Sequence, residues 1–440
     1  MSLNTERYTG WGRVLGASGR ARPEKAGELA RFAAQTPGPA IGARRAYGDA
    51  ALSSIRPAVQ TTRLDRMLAF EPETGILEAE AGTPLSQILK VLSPRGWMPP
   101  VLPGTGYATL GGAIAADVHG KNHHHAGSFG SHVRGVRLIG PDGTARQITA
   151  ESDPALFAAT LGGMGLTGII ESAKIALAPC PALTVDVAER RMAGLSAFLD
   201  ALTASDATFS VGWIDATATG AALGRGILEE AEFTTRANPF VPRHKPPKPV
   251  PIDAPGFALS PPVVRLFNRL YLARIPKAGR RRTRPLTAFF HPLDGLKDWN
   301  RLYGKRGFHQ FQCVVPPDAT EALHRMLSAA AASRLCSPLA VLKRMGPGRA
   351  GPMSFPMEGF TLALDIPNRR GAEDLITGLL DRCAAAGGRV YLAKDSLARP
   401  DHIAAMYPEL DAFRETLRAA DPERVFETDL ARRLALRGAP

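Results

Sequence analysis

With 440 residues, 45% hydrophobic and 22% charged, the chain is a globular protein too long for one simple core, and two domains flanking a cleft are expected. A formal charge of +13 favours anionic partners such as phosphates or acidic lipid headgroups. No run is long and apolar enough for a membrane span, and MSLNTERYTGWGR lacks the apolar centre of a secretory signal, so the chain reads as cytoplasmic or peripheral on the inner face of a membrane.

In chain order, PEKAGELARFAAQ (23–35) has helical periodicity, and PAIGARRAYGDA (39–50) passes from a short strand into a glycine turn. GILEAEAG starts a strand in which Leu77 and Ala79 alternate with Glu78 and Glu80, and a helix opens at Thr83-Pro84, with Pro at its first position. VRGVRLIGPDGTARQIT (133–149) is a hairpin around PDG. SDPALFAATLGG (152–163) is a helix capped by Ser152 or Asp153, and GIIESAKIAL (168–177) is a strand.

Strands and helices without such glycine loops follow from Pro181 to about Gly388, predicting a second domain. Inside it, RHKPPKPVPIDAPG (243–256) predicts a mobile surface loop, because prolines cannot build a regular ladder. The basic run KAGRRRTR (277–284) predicts contact with phosphate or a membrane surface, or a solvated face; nucleic acid would call for aromatic interleaving or a reading helix. RVYLAKDSLARP (389–400) begins with a strand and DPERVFETDLARRLAL (421–436) is helical.

The richest segment is PGTGYATLGGAIAADVHGKNHHHAGSFG (103–130), whose glycines admit close approach of a flat cofactor and whose polar end carries His119, Lys121 and Asn122. GARRAYGDA (42–50) offers consecutive amides as a pyrophosphate nest, or an ordinary βα turn. Gly163, Gly165 and Gly168 match GxGxxG, but with a helix before and a strand after, the reverse of a nicotinamide Rossmann fingerprint, so they read as a second backbone approach to the same cofactor. The histidines His119, His123, His124, His125 and His132 lack carboxylate or thiolate partners and are not read as a metal site. Cys180, Cys313, Cys336 and Cys383 are too widely spaced for a redox or metal motif and read as buried free thiols. Lys394 stands where a strand end could reach a cleft, or in a surface ion pair; Lys343, Gln310 and Gln312 alternate with apolar neighbours and could face a pocket.

These motifs resemble the flavin oxidase subunits of decaprenylphosphoryl-β-D-ribose 2′-epimerases, within the vanillyl-alcohol oxidase group. The blocks TGWGR (9–13), AYGDA (46–50), PVLPGT (100–105), GGAIAADVHGKNHHHAGSFGSHVR (111–134), HPLDGLKDWNRLYG (291–304), SFPMEGF (354–360), YLAKDS (391–396) and DLARRL (429–434) carry the likeness over nearly the whole chain. The resemblance implies an α+β architecture: a PCMH-type FAD-binding fold of two α/β subdomains from residues 1–183 and 389–440, with an antiparallel-sheet substrate domain, 184–388, inserted and bearing a mobile loop at about 238–284.

It also implies FAD held without a covalent link. The pyrophosphate loop would be Gly42, Ala43, Arg44, Arg45, Ala46, Tyr47, Gly48 and Asp49. Further cofactor contacts would come from Gly104, Thr105, Thr109, Gly111, Gly112 and Ala116; from His119, Gly120, Asn122, His123, Gly127 and Ser128; and from Gly168, Ile169, Ile170 and Lys394. Lys121, Trp213, Phe290, Gln310, Gln312, Lys343, Thr361 and Ala363 would form the substrate pocket, and Lys394, His119 and Tyr47 would be catalytic.

Family members carry cysteine at Ala363, asparagine at Thr361 and tyrosine at Phe290; oxidising an alcohol does not need that thiol, but inhibitors that capture it should fail. The implied reaction is oxidation of the 2′-hydroxyl of a polyprenylphosphoryl pentose, with a separate NAD(P)H-dependent short-chain reductase completing an epimerisation. Peripheral membrane contact, or a periplasmic location, is the family-based expectation. The rival readings are a sugar-alcohol or aldonolactone oxidase without lipid and a non-catalytic basic flavin-fold protein.

Overall fold

The structure, a computed structural model, describes residues 7–35, 38–235, 246–335 and 337–438. Near the start, β1 (Arg20–Ala21), α1 (Ala26–Gln35), β2 (Ala40–Ile41) and β3 (Ala58–Gln60) form a small parallel sheet in the order β1-β3-β2. The chain from β2 to β3 contains no helix, so the glycine turn at 42–50 is not a βα turn.

A five-stranded antiparallel sheet follows, from β4 (Met67–Glu71), β5 (Ile76–Glu80), β6 (Val133–Ile139), β7 (Ala145–Ile148) and β8 (Ile169–Ala176), in the order β7-β6-β8-β5-β4. The expected hairpin is β6-β7, with Gly143 at φ 81° in its turn. Two helices, α2 (Leu85–Leu92) and α3 (Leu110–Ala115), bury Ile88, Leu89, Leu110 and Ile114 against Leu77, Val136 and Ile175 of this sheet. Pro84 proves to be the N-cap of α2 rather than its first residue. The alternation expected in β5 also breaks, because Glu80 is buried against Arg66 (2.6 Å). In α4 (Pro154–Thr160) the cap is Asp153, which accepts from the Leu156 amide.

The second half is organised by one eight-stranded antiparallel sheet. Its strands are β9 (Thr184–Met192), β10 (Phe209–Ile214), β11 (Gly226–Phe233), β12 (Arg280–Pro285), β13 (Phe308–Val315), β14 (Ala340–Met345), β15 (Gly359–Pro367) and β16 (Arg389–Val390), in the order β12-β9-β11-β10-β14-β15-β13-β16. β16 pairs with β13, so the strand at 389 extends this sheet. Period-2 alternation gives the sheet two different faces. Phe311, Cys313, Val315, Leu342, Leu362 and Leu364 pack under α5 (Leu195–Thr203), α7 (Thr320–Ser333) and α8 (Ala372–Ala385). The intervening residues, Gln310, Gln312, Lys343, Thr361 and Ala363, face the other way, into a cavity.

Between β11 and β12 the sequence reading needs correction. Lys248–Pro249 forms a two-residue parallel pair with Leu296–Lys297, and Pro261 begins α6 (Pro261–Ala273), a 13-residue helix. Two prolines at a helix start lose nothing, since those amides have no intrahelical acceptor. Residues 236–245 lie outside the described residues; apart from that pair, 246–256 is irregular and largely exposed, as expected of a loop, but beyond it 261–273 is a helix and 280–285 a strand. The basic run is the edge strand β12, where Arg280 and Arg282 pair with the fully buried Glu189 (2.7 and 2.9 Å) and Arg284 with Glu229 (3.4 Å). It is largely an internally neutralised set and not a free patch.

The C-terminal helices α9 (Pro400–Met406), α10 (Leu410–Ala420) and α11 (Asp429–Arg433) close the molecule. Arg433 donates to both oxygens of Asp49 (2.8 and 2.7 Å) and to Asp395 (2.9 Å), tying the 42–49 loop to the turn that bears Lys394.

Candidate active site

A cavity of about 680 Å³ lies between the polar face of the large sheet and the N-terminal loops. Such a volume suits a cofactor with part of a substrate. One wall is Gly42, Ala43, Arg44, Arg45, Ala46 and Tyr47. Gly104 and Thr105 continue it, followed by Thr109, Gly111, Gly112 and Ala116 along α3, with Gly168 and Ile170 opposite. His119, Gly120 and Lys121 join this wall to the sheet residues and Lys394. Trp213, Phe290 and Tyr271 also line it, and Arg274 and Arg282, each about a third exposed, stand with Arg284 at its rim.

The first wall is built for a ligand. The amides of Ala43, Arg44, Arg45 and Ala46 donate to nothing among the described residues, and Arg44 adopts φ 55°. Successive amides in such a turn form an anion nest. Its shape depends on Gly42 and Gly48, where a Cβ would stand 2.3 Å from Thr109 Oγ1 and 1.9 Å from Asp395 O. The Arg45 guanidinium lies between the rings of Trp11 (4.1 Å) and Tyr107 (4.7 Å), and the Nε atoms of Arg44 and Arg45 are buried without hydrogen-bond partners among the described residues. At Gly104 and Gly165 an added Cβ would meet nothing within 4 Å and would project into the cavity.

The opposite end is a buried polar cluster. Lys343 Nζ lies 3.0 Å from His119 Nδ1, and 2.9 Å separates His119 Nε2 from the Gln312 amide. With Lys343 Nζ donating, whether as ammonium or amine, Nδ1 accepts, Nε2 carries the proton and the Gln312 amide turns its oxygen towards it. Burial, then the charges of Lys343, His123 and Lys394, hold His119 well below the usual imidazole range. It is therefore a neutral ring with both nitrogens engaged.

Lys394 Nζ sits 3.7 Å above the centre of the Tyr47 ring. Burial lowers its pKa to about 7 against the opposing pull of Asp365. Lys343 is lowered to about 7 by burial and by the like charges of Lys121 and Lys394. Lys121, which donates to Phe289 O at 2.6 Å, is lowered to about 8, chiefly by burial. Behind them, Asp365 accepts from Gln310 and from Tyr303 (2.9 Å), and burial raises its carboxyl to about 7. Tyr47 is fixed as a phenol, its pKa raised well above the ordinary value by burial and then by Asp365.

Residues 22–149 match the FAD binding domain family. The chain is 36% identical over 98% of its length to decaprenylphosphoryl-beta-D-ribose oxidase of Mycolicibacterium smegmatis, 98% of which is covered. It belongs to the decaprenylphosphoryl-β-D-ribose oxidase family. A Streptomyces coelicolor protein without an assigned activity is 35% identical over 80% of this chain and all of its own length. D-arabinono-1,4-lactone oxidase of Saccharomyces cerevisiae is 29% identical over only 28% of this chain and 24% of its own.

As a member of that family the protein is an FAD-dependent oxidoreductase with a PCMH-type FAD-binding fold. The wall described above fits FAD: four free amides and two arginines suit a pyrophosphate, and glycines with open space above them suit close passage of a flat nucleotide.

Most sequence-predicted site residues line the cavity, but seven do not. Gly48 packs on the Asp395 carbonyl and Asp49 is held by Arg433. Asn122 donates to Pro100 O (2.9 Å), and His123 is buried away from the cavity with neither ring nitrogen partnered among the described residues. Gly127 ends a one-turn helix, His123–Ala126, at φ 68°; Ser128 lies 3.5 Å from Ser131, and Ile169 belongs to the core beneath α1. These residues shape the wall from behind. Cys180, Cys313 and Cys383 are buried free thiols, and Cys336 lies outside the described residues.

Sequence reasoning missed Asp365, Tyr303, Arg433 and the Trp11–Arg45–Tyr107 stack. DLARRL, already notable as a block, was the one signal that pointed to Arg433.

Proposed function

We propose that the protein oxidises the 2′-hydroxyl of a polyprenylphosphoryl pentose, a decaprenylphosphoryl-β-D-ribose-like lipid, to the 2′-keto sugar. This is the first half of an epimerisation that a separate NAD(P)H-dependent short-chain reductase completes. The observation that carries the reading is the full-length likeness to the oxidase, joined to a cavity whose inner end is lysine-rich and whose rim is arginine-rich. In this reading residues 1–183 and 389–440 hold FAD without a covalent link, and the sheet of 184–388 is the substrate domain.

Bound FAD supplies the two-electron acceptor for the hydride leaving the carbinol carbon. The 42–47 loop, Gly104, Thr105, Thr109, Gly112, Gly168 and Ile170 would hold it. Lys394 accepts the hydroxyl proton: burial makes much of it a neutral amine near pH 7, whereas Tyr47 stays protonated and both His119 nitrogens are occupied. His119, kept in place by Lys343 and Gln312, orients the sugar with Lys121, and Trp213 and Phe290 form its apolar wall. Arg274, Arg282 and Arg284 line the path of the phosphodiester, each sharing its charge with Glu189 or Glu229.

Anaerobic mixing of the yellow protein with prenylphosphoryl ribose, followed by visible absorbance, tests this. Bleaching within a single turnover is expected with the lipid-linked sugar and not with free pentitols or aldonolactones. Bleaching by the free sugars alone would move the protein to the lactone-oxidase reading, and a colourless protein unable to take up FAD would end both.

A further inference from the structure

We propose that the outward side of α6, together with Ile252, Phe257, Leu296 and Leu302, is a docking face for an anionic lipid bilayer that sets the rim of the cavity at headgroup level. Thirteen large hydrophobic side chains are exposed among the described residues, and eight of them fall within 252–302. Phe257 is 71% exposed, Ile252 69%, Leu270 64% and Leu266 58%. Apolar exposure this concentrated marks an interaction site and not ordinary surface scatter.

The helix has its polarity reversed relative to an ordinary surface helix. Towards the protein it points Val264, Asn268 and Tyr271; Asn268 is fully buried and donates to Asp215 (2.7 Å), while Tyr271 lines the cavity. Towards solvent it points two i,i+4 pairs, Val263 with Phe267 and Leu266 with Leu270. Arg265 and Arg269, again one turn apart, form the adjacent strip, and neither has an ion-pair partner among the described residues. An apolar stripe beside a basic strip is the pattern of a helix lying in a membrane interface.

Charge selects the lipid. Residues 246–284 contain nine Lys or Arg and one acid, Asp253, which is neutralised by Arg13 and Arg301. Lys248, Arg265, Arg269 and Lys277 have no ion-pair partner among the described residues and can meet anionic headgroups. A second copy of this chain would bring the same positive surface against itself. Arg274 lies at the end of α6 and lines the rim, so the docking face and the cavity are continuous. The proposal rests on the lipid-linked-substrate reading for its purpose, but not for its physical basis.

Co-sedimentation of the FAD-loaded protein with vesicles of phosphatidylcholine, with and without phosphatidylglycerol, tests it. Binding to the anionic vesicles is expected, weakening with salt, and falling by about tenfold or more in Leu266→Ser/Leu270→Ser, which forfeits the burial of two leucines. Arg265→Gln/Arg269→Gln should weaken it in the same direction, and retained flavin absorbance reports folding of each variant. Equal binding of wild type and Leu266→Ser/Leu270→Ser overturns the proposal. So does self-association of the wild type that this variant abolishes, which would give the face to a second copy.

Flavin bleaching separates docking from substrate choice. The docking variants should keep the wild-type rate with a water-soluble short-chain prenylphosphoryl ribose and lose it only with the vesicle-embedded long-chain lipid. Vesicle binding without reduction by either lipid would sink the substrate reading and leave docking standing.

Discussion

The two walls of the cavity are built on different principles. The N-terminal wall is made of backbone: free amides at 43–46, with Gly42 and Gly48 present because neighbouring atoms leave no space for a Cβ. The opposite wall is made of side chains from the sheet and the loops beside it, with three lysines, a neutral histidine and a carboxyl whose charges are set by mutual burial. A backbone wall grips whatever anion fits its shape. A side-chain wall can hold and release protons, which is why chemistry belongs there.

That contrast is broken most directly at Lys394. Lys394→Ala should slow flavin reduction by about 10²- to 10⁴-fold, the usual worth of a positioned acid–base group, while FAD stays bound. Stopped-flow absorbance checks the first and the spectrum of the dialysed protein the second; loss of FAD instead would make Lys394 part of the gripping wall. In the wild type, the rate should rise with pH through about 7 as Lys394 loses its proton. Lys394→Arg, permanently charged, should lack that rising limb.

Arg433 tests whether the two walls are coupled. It binds Asp49 behind the backbone wall and Asp395 next to Lys394. Arg433→Met leaves two buried carboxylates without their partner, a loss of about 3–5 kcal/mol. Denaturant unfolding should record that loss, and FAD retention and the reduction rate should fall together. If only one of them falls, the walls are independent.

A smaller effect is expected at Asp365. Its carboxylate favours the ammonium form of Lys394, so Asp365→Asn removes a stabilising charge and the rising limb should shift to lower pH. An unmoved limb would mean that burial alone sets the Lys394 charge.

The same contrast explains what could be read from sequence. The backbone wall leaves a trace in composition, because each close approach requires glycine, so LGGAIAADVHG reads as a cofactor wall and AIGARRAYGDA as either a pyrophosphate nest or a βα turn, of which the fold removes the second. Lys343, Gln310 and Gln312 were readable as pocket-facing through strand alternation alone. Asp365 was not, since its meaning comes from lying opposite Gln310 in the β13-β15 register, 55 residues away. Over 246–284 the reading failed for two physical reasons. Pro261 and Pro262, just beyond the proline-rich stretch that does run as irregular chain, start α6, and an arginine run that looked like a surface patch alternates along a strand above the buried Glu189.

Ala363 gives the smallest effect and the sharpest reading of the side-chain wall. It lies opposite Gln312 on one neighbouring strand and Val341 on the other, lines the cavity, and is the one residue of β15 that is not fully buried. Ala363→Cys should leave flavin reduction near the wild-type rate, since oxidising the alcohol needs no thiol. The new thiol should nevertheless be reactive, because Lys343 and Lys394 line the same cavity and positive charge favours thiolate. Cys180, Cys313 and Cys383 are all buried, and burial pushes the Cys180 thiol up to about 11. Brief native exposure to iodoacetamide, read by mass spectrometry of peptides containing residue 363, should label the variant quickly and more slowly when prenylphosphoryl ribose is present. Labelling that ignores the lipid would place residue 363 outside the volume the sugar occupies, and with it the assignment of the β13–β15 face as the substrate wall.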